Sequence, residues 1–166
     1  MGLYDFTFYD LINRNARAYN NRPAWLEVKD GRALTYGQFK ETVDRLASGL
    51  QQRGIEKGDR IGVVGKNSLE FFLLYGAAAA LGAIVVPINW RLSVEEAHFN
   101  LNDVEPRILF VDPEFQEMME VSITNSGPTS PAWPPRKILR SRNITPRGTS
   151  PTSEAVALSW FGVKLK

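Results

Sequence analysis

Residues 124–137, TNSGPTSPAWPPRK, contain the side chains that most resemble a phosphate-binding loop. Backbone amides and hydroxyl groups hold phosphates in such loops, and the final Arg-Lys pair would add positive charge. Pro128, Pro131, Pro134 and Pro135 argue against this function, because each proline removes a backbone N–H that a phosphate cradle needs. We therefore expect a disordered Ser/Pro-rich segment rather than a ligand-binding loop.

A second phosphate-binding candidate is GVVGKNS at residues 62–68, where Lys66 follows Gly65. Its spacing departs from the G-x-x-x-x-G-K-S/T pattern of nucleotide-binding loops. We interpret Gly65 as a strand-to-helix turn, Lys66 as a solvated cation and Ser68 as the N-cap of the next helix.

Metal-binding and acid–base chemistry have little support in the sequence. The chain has no cysteine and a single histidine, His98, which excludes thiolate sites and His-rich metal sites. We interpret His98 as a helix-surface residue. Glu95 and Glu96 read as first-turn acids that the helix dipole favours, rather than as a catalytic pair. We predict no catalytic residue, no cofactor-binding residue and no metal ligand in this chain.

PINWRL at residues 87–92 is the best candidate for ligand contact. It follows a predicted parallel strand, and ligands of open α/β sheets bind outside the carboxyl ends of such strands. We therefore predict that Asn89, Trp90 and Arg91 form a substrate-side loop. The alternative is a structural loop in which Trp90 packs against a neighbouring element.

The elements that would position this loop can be read from hydrophobic periodicity. Residues 6–19 predict an amphipathic helix, and residues 25–35 predict a hairpin that turns at Asp30-Gly31. Thr35 and Gln38 form a capping-box pattern, which starts a helix that ends near Gly54.

A β-α-β-α-β unit follows, with strands at residues 59–65, 83–89 and 107–112. The helices between them are at residues 67–82 and 92–103, and the second begins with the capping-box pair Ser93 and Glu96. The strands are apolar on both faces, as in parallel sheets covered by helices. The predicted fold class is α/β: a partial doubly wound parallel sheet with an N-terminal helix and a β-hairpin, plus a disordered C-terminal tail. Pro87 marks a strand end or a sheet edge, and an exposed edge would permit self-association.

Charge divides the 166-residue chain into two segments, although its net charge is only +2. Residues 121–166 carry seven Lys or Arg against one acid, Glu154, whereas residues 1–120 are net acidic. We predict a folded segment, 1–120, and a basic Ser/Pro-rich tail, 121–166. No apolar stretch reaches the roughly 18 residues that a membrane span needs, and no signal peptide is recognisable, so we expect a cytoplasmic protein.

Four motifs together resemble the start of the AMP-forming acyl-CoA synthetases of the adenylate-forming superfamily. They are LTYGQF, GDRIGVV, LGAIVVPINWRL and, after LND, the strand LFVD. The resemblance covers roughly residues 5–118, in the order and at the spacing that the family shows. It makes residues 1–120 the N-terminal part of the synthetase large domain and implies a place in fatty-acid metabolism.

The resemblance implies a two-step reaction in the intact family. A carboxylic acid attacks the α-phosphate of Mg-ATP to give an acyl-adenylate and pyrophosphate, and coenzyme A then displaces AMP to give a thioester. The family's phosphate-binding loop, its magnesium-binding and ribose-binding residues and its catalytic lysine have no counterpart in this chain. We therefore expect an inactive fragment that needs no cofactor by itself and meets acid, ATP and CoA only with the rest of the enzyme.

The tail departs from the family pattern after about Met119, which suggests foreign sequence from another reading frame. Two alternatives to the ligase fragment stay open. One is a non-catalytic α/β ligand-binding module. The other is an interaction protein that acts through its basic tail, although the tail lacks the interleaved aromatics expected of a specific nucleic-acid partner.

Overall fold

A computed structural model describes residues 6–124 and 138–140, which divide into two compact units. The helical unit comprises residues up to 57 together with 67–83, and the sheet unit comprises residues 58–66 together with those from 84 onward. The helical unit contains α1 (Phe8–Tyr19), β1 (Pro23–Leu26), β2 (Ala33–Thr35), α2 (Tyr36–Gln52) and α3 (Leu69–Leu81). The sheet unit contains β3 (Arg60–Val64), β4 (Ile84–Ile88), α4 (Val94–Val104), β5 (Ile108–Val111), α5 (Gln116–Thr124) and β6 (Ile138–Arg140), with a short 3-10 turn at Pro113–Phe115.

Local capping sequences start three of the helices. Both predicted capping boxes are confirmed, at Thr35–Gln38 and at Ser93–Glu96. A third box joins Thr7 to Asp10 at the start of α1, so this helix begins two residues later than the sequence predicted. In each box the N-cap hydroxyl and the third-position side chain satisfy two backbone donors that the helix itself leaves unpaired.

The three helices of the helical unit pack closely because α3 has a glycine where they meet. A Cβ atom on Gly76 would lie 2.8 Å from Val43 Cγ2 and 3.0 Å from Ile12 Cδ1. Both distances are shorter than a normal carbon–carbon contact, so a side chain at position 76 would push α3 away from α1 and α2.

The hairpin β1–β2 is antiparallel and turns through Asp30-Gly31, as predicted, with Gly31 at φ +73°. Two polar contacts and one aromatic contact fasten it to the start of α3. Glu27 Oε2 accepts a hydrogen bond from Leu69 N at 3.0 Å, and Arg32 Nη1 pairs with Glu70 Oε1 at 2.5 Å. The predicted N-cap is therefore only half right: Ser68 occupies the N-cap position, but its side chain makes no capping bond.

Within the described residues, the sheet unit has four parallel strands in the order β4-β3-β5-β6, with β3 and β5 between the other two. Residues Val64, Ile88 and Val111 lie side by side where three of the strands end. Because Ile84 N donates toward β3, to Asp59 O, the strand alternation directs the nitrogen of Pro87 to the outer edge. Among the described strands β4 is an edge strand, and Pro87 lies where its nitrogen faces away from β3. The N–H that proline lacks would therefore not have formed a hydrogen bond within the sheet.

Two elements lie inside the segment that the sequence assigned to a disordered tail. The end of α5 extends to Thr124, and β6 pairs with β5 between Leu109↔Ile138 and Val111↔Arg140. Both differ from the prediction, which had no strand after β5. The rest of the predicted tail, including most of residues 124–137, lies outside the described residues.

His98 joins two helices instead of simply facing solvent. Its Nδ1 lies 2.6 Å from Ser122 O in α5, and its Nε2 lies 2.8 Å from Asn102 Nδ2 in α4. A carbonyl can only accept and an amide NH₂ can only donate, so this arrangement fits a neutral ring that is protonated on Nδ1. The helix-surface interpretation missed this link because it depends on a residue 24 positions away.

The longest described helix, α2, has 17 residues. In the part of the chain that the structure describes, no helix combines the length and the apolar character that a bilayer crossing requires.

Replacing Glu27 with alanine should destabilise the helical unit by about 1 kcal/mol, because the first backbone donor of α3 loses its acceptor. Ser68→Ala is the matched control, since that hydroxyl makes no capping bond and its loss should leave the free energy of unfolding nearly unchanged. Urea unfolding followed by circular dichroism measures both variants. An equal or larger loss in Ser68→Ala would show that the local residue, and not the hairpin, caps α3.

A second prediction concerns alkaline pH. Tyr9 Oη donates to Asp44 Oδ1 at 2.6 Å, and Lys40 Nζ also pairs with Asp44. The hydrogen bond to Asp44 is the main cause that raises the pKa of Tyr9, and it likewise raises the pKa of Lys40. Groups with raised pKa values stabilise the fold fully below their unfolded values, and this contribution disappears as the pH rises through the folded values.

Unfolding free energy should therefore fall with a steeper slope above about pH 10 in the unchanged protein than in Tyr9→Phe. Asp44→Asn should flatten the slope further, because it removes the charge that both groups share. Urea titrations between pH 8 and pH 12 measure the slopes. Identical slopes in the three proteins would rule out this cluster as the source of the alkaline sensitivity.

Candidate functional site

Three loops meet at the carboxyl ends of β3, β4 and β5. They follow Val64, Ile88 and Val111, which the register places side by side. We refer to the side chains that they bring together as the carboxyl-edge cluster: Lys66, Trp90, Arg91, Asp112, Glu114 and Phe115.

A contact between the first and third loops fixes their separation. Asp112 N donates to Val64 O at 2.9 Å, and Asp112 Oδ2 accepts from Lys66 N at 3.1 Å. A Cβ atom on Gly65 would lie only 2.3 Å from the same Oδ2. Gly65 is therefore more than a generic turn, because only the absence of a side chain allows the carboxylate to reach the Lys66 amide.

Two aromatic rings form the side of the cluster that packs on the protein core. Trp90 stacks on Phe115 with ring centroids 5.4 Å apart and an interplanar angle of 26°. Both half-buried side chains pack on the apolar core of the sheet unit, which consists of Val64, Ile88, Ala97, Leu101, Leu109, Val111 and Met119. The structural alternative for Trp90 is thus realised, since the ring does pack on a neighbouring loop.

Two cations lie against these rings. Arg91 Cζ is 3.9 Å from the centroid of Trp90, and Lys66 Nζ is 5.3 Å from the same centroid. Each such contact is worth about 0.5–1 kcal/mol at an exposed site. Trp90 therefore packs on the protein with one part of its surface and contacts the two cations of this edge with another. The structural interpretation of residues 87–92 and the substrate-side interpretation are thus compatible.

The two cations differ in how their charges are balanced. Lys66 Nζ pairs with Glu114 Oε1 at 2.6 Å, with both side chains about half exposed. Within residues 6–124 the exposed guanidinium of Arg91 has no acidic partner within salt-bridge distance. Arg91 is therefore the cation in this cluster whose charge is not compensated locally.

Asn89 shapes the loop. Its Oδ1 accepts from Arg91 N at 3.0 Å, an Asx-type bond that fixes the backbone on which Arg91 sits. The structure thus brings the three predicted loop residues together. Asn89 positions the backbone of Arg91, and the side chains of Trp90 and Arg91 form part of the carboxyl-edge cluster.

Sequence reasoning missed the other members of the cluster, namely Lys66, Asp112, Glu114 and Phe115. Lys66 directly follows the first predicted strand, Asp112 ends the third, and Glu114 and Phe115 come within three residues of it, so all four lie at the carboxyl ends that selected residues 89–91. Applied to all three strands, this criterion would have identified them. Lys66 was interpreted as solvated, and its side chain is indeed 57% exposed, but it also holds an ion pair and two ring contacts.

The cluster suits binding more than bond making. A flat aromatic surface with a stacked guanidinium can take an anionic group or a planar group from solvent. Among the described residues, no three His, Cys, Asp or Glu side chains are grouped closely enough to hold a metal ion.

The sequence pattern of the AMP-binding enzymes matches residues 12–154. This match extends beyond residue 118, where the resemblance seen in the sequence motifs ends.

Two curated relatives illustrate the similarity. The fatty acid–acyl-carrier-protein ligase ScoC of Streptomyces coeruleorubidus is 34% identical over 110 residues, which are 66% of this chain and 20% of the relative. The long-chain-fatty-acid–CoA ligase FadD13 of Mycobacterium tuberculosis is 35% identical over 99 residues, which are 60% of this chain and 20% of the relative. The chain thus spans about a fifth of the length of the curated relatives it matches.

Solved structures show the same fold. The N-terminal domain of FACL13 from Mycobacterium tuberculosis superposes with a TM-score of 0.69 at 30% identity, covering 74% of this chain and 31% of that domain. The anthranilate CoA ligase AuaEII, in complex with anthranoyl-AMP, superposes with a TM-score of 0.71 at 27% identity. That superposition covers 83% of this chain and 25% of the ligase.

Gly65→Ala should destabilise the sheet unit by about 1–3 kcal/mol, because the added methyl group displaces the Asp112 carboxylate from the Lys66 amide. In an Asp112→Ala background the same change should cost much less, since the obstructing carboxylate is gone. Urea unfolding of the two single variants and the double variant gives the coupling energy. Additive effects would mean that the methyl group is accommodated without moving Asp112.

Proposed function

The chain belongs to the AMP-binding enzyme family, and from this we propose that it is the N-terminal part of an ATP-dependent acyl-CoA ligase. The observation that carries the proposal is the combined sequence and fold similarity to acyl-CoA ligases. In the complete enzyme, a carboxylic acid would react with Mg-ATP to give an acyl-adenylate and pyrophosphate. Coenzyme A would then displace AMP and form the thioester.

We assign the carboxyl-edge cluster a binding role in that enzyme. Arg91 offers an uncompensated positive charge whose plane is supported by Trp90. Acid, ATP and CoA all carry negative charge, so each gains from a guanidinium at this edge. Asn89 and Asp112 act indirectly: their side chains accept hydrogen bonds from the backbone N–H groups of Arg91 and Lys66 and so position these two cations.

The 166-residue chain alone is proposed to be inactive. It spans about a fifth of the length of its curated relatives, so most of a ligase has no counterpart in it. The described residues supply binding surface and framework, but the cluster offers neither a metal site nor a phosphate-enclosing loop. Among the described strands β4 has no outer neighbour, and we propose that this edge permits weak self-association of the chain, limited by the N–H that Pro87 lacks.

Acid-dependent ATP–pyrophosphate exchange tests the proposal. The chain alone should show no exchange above background. A chimera, in which the aligned residues of this chain replace the corresponding 99-residue stretch of FadD13, should exchange with a fatty acid substrate. A chimera that folds and binds ATP but does not exchange would contradict the ligase function, and exchange by the chain alone would contradict its inactivity.

The same assay locates the binding role. Arg91→Ala in the chimera should lower kcat/KM by roughly tenfold, the loss expected for one charge-assisted hydrogen bond. Arg60→Ala is the matched control: Arg60 is also an exposed arginine of the sheet unit, but it starts β3 at the opposite, amino end and pairs with Glu105. Equal losses in both variants would indicate a general charge effect and remove the assignment to the carboxyl edge.

The ligand-binding-module alternative gives a different result in one simple measurement. Saturable calorimetric binding of ATP or CoA by the chain alone would favour it, because a ligase fragment of this size should bind neither tightly. The basic-tail alternative rests on residues that lie mostly outside the described part of the chain.

A further inference from the structure

Four aromatic rings form a connected surface on the helical unit. Trp25 of β1 contacts Phe72 of α3 with ring centroids 4.4 Å apart, and Phe72 lies 6.5 Å from Tyr75 in an edge-on arrangement. Phe71 completes the group at 6.3 Å from Tyr75. We call these four residues the aromatic patch. Phe72 and Tyr75 stay 41% and 36% exposed, so the patch faces outward.

The patch is held in a fixed arrangement. Glu27 and Arg32 tie the hairpin to the first turn of α3 at Leu69 and Glu70, close in sequence to the Trp25–Phe72 contact. Phe72 and Tyr75 are three residues apart and therefore lie on one face of the helix. A surface whose rings are already ordered loses little conformational entropy when a partner covers it.

Packing around the patch is incomplete among the residues that the structure describes. The indole Nε1 of Trp25 is buried and has no hydrogen-bond acceptor among the described residues. Buried indole N–H groups usually have a partner, and contiguous exposed aromatic surface usually marks an interaction site. The exposed aromatic surface indicates that something absent from the described residues covers this region.

The lengths of the relatives indicate which partner covers the aromatic patch. The chain corresponds to 20% of FadD13 and to 31% of the FACL13 N-terminal domain, so even within one domain about two thirds of the fold has no counterpart here. We propose that the aromatic patch is an interface for the complementary part of an AMP-binding enzyme, joined through apolar ring packing. The identity of this partner rests on the proposed function, but the interface itself is independent of catalysis.

Binding in trans tests the proposal with the full 166-residue chain. The probe is tagged FadD13 that lacks the stretch aligned to this chain, co-expressed with the chain and purified without any substrate. We expect a 1:1 complex that is weakened roughly tenfold by Phe72→Ser, as for an aromatic anchor at an interface. Tyr75→Ser, on the same face, should weaken it similarly and serves as the second variant if Phe72→Ser folds poorly.

Phe99→Ser is the matched control, since Phe99 of α4 is 72% exposed and is not part of the patch. It should leave the complex unchanged. Absence of a complex, or equal weakening by all three variants, would overturn the proposal. A dimer of the full chain that Phe72→Ser dissociates would also overturn it, because the occupant would then be a second copy. A complex that forms but shows no pyrophosphate exchange would retain the interface and reject only the ligase function.

Discussion

The carboxyl edge of the sheet unit depends on the close approach of Asp112 to Gly65. One residue links two strands twice, since its backbone N–H bonds Val64 O and its carboxylate accepts from Lys66 N. The first bond continues the ladder between β3 and β5 beyond its last pair, and the second turns the chain after β3 toward the third loop. This turn brings the Lys66 side chain to Glu114, Trp90 and Phe115. Without room beside Gly65, the cation and the rings would not meet.

The helical unit uses the same strategy with different residues. A carboxylate from a distant segment, Glu27, takes the place of a local cap at the start of α3. The two carboxylates reach across 42 and 46 positions of the sequence. These two hydrogen bonds cannot form until distant parts of the chain have met. The start of α3 and the end of β3 are therefore stabilised by tertiary contacts rather than by local sequence.

This distinction explains which features could be predicted from the sequence. The capping boxes at Thr35 and Ser93 were correct because both partners lie within three residues, as was the Asp30-Gly31 turn. The order β-α-β-α-β followed from periodicity and from short connections. Ser68 was correctly placed at the N-cap position, but its missing capping bond and the link from His98 to α5 were not foreseen. Both depend on distant residues, because Glu27 accepts from Leu69 N and Ser122 contacts His98, and no local pattern reveals them.

Strand β6 was missed for a related reason. Its three residues follow a proline-rich segment, and a strand this short has little periodicity of its own, so its pairing with β5 decides its conformation. The candidate site was predicted in part for the opposite reason. Asn89, Trp90 and Arg91 were found by their position after a strand, a rule of topology that needs no side-chain contact.

The chemistry of the carboxyl edge follows from an imbalance of charge rather than from any single residue. Lys66 and Arg91 both lie against Trp90, but the charge of Lys66 is largely compensated by Glu114. The guanidinium of Arg91 lies 3.9 Å from the Trp90 centroid, a contact that restricts the motion of the side chain. The bond from Arg91 N to Asn89 restricts the backbone as well. Among the described residues, Arg91 is thus the cation of this edge without an acidic partner, and the proposed binding role rests on that charge.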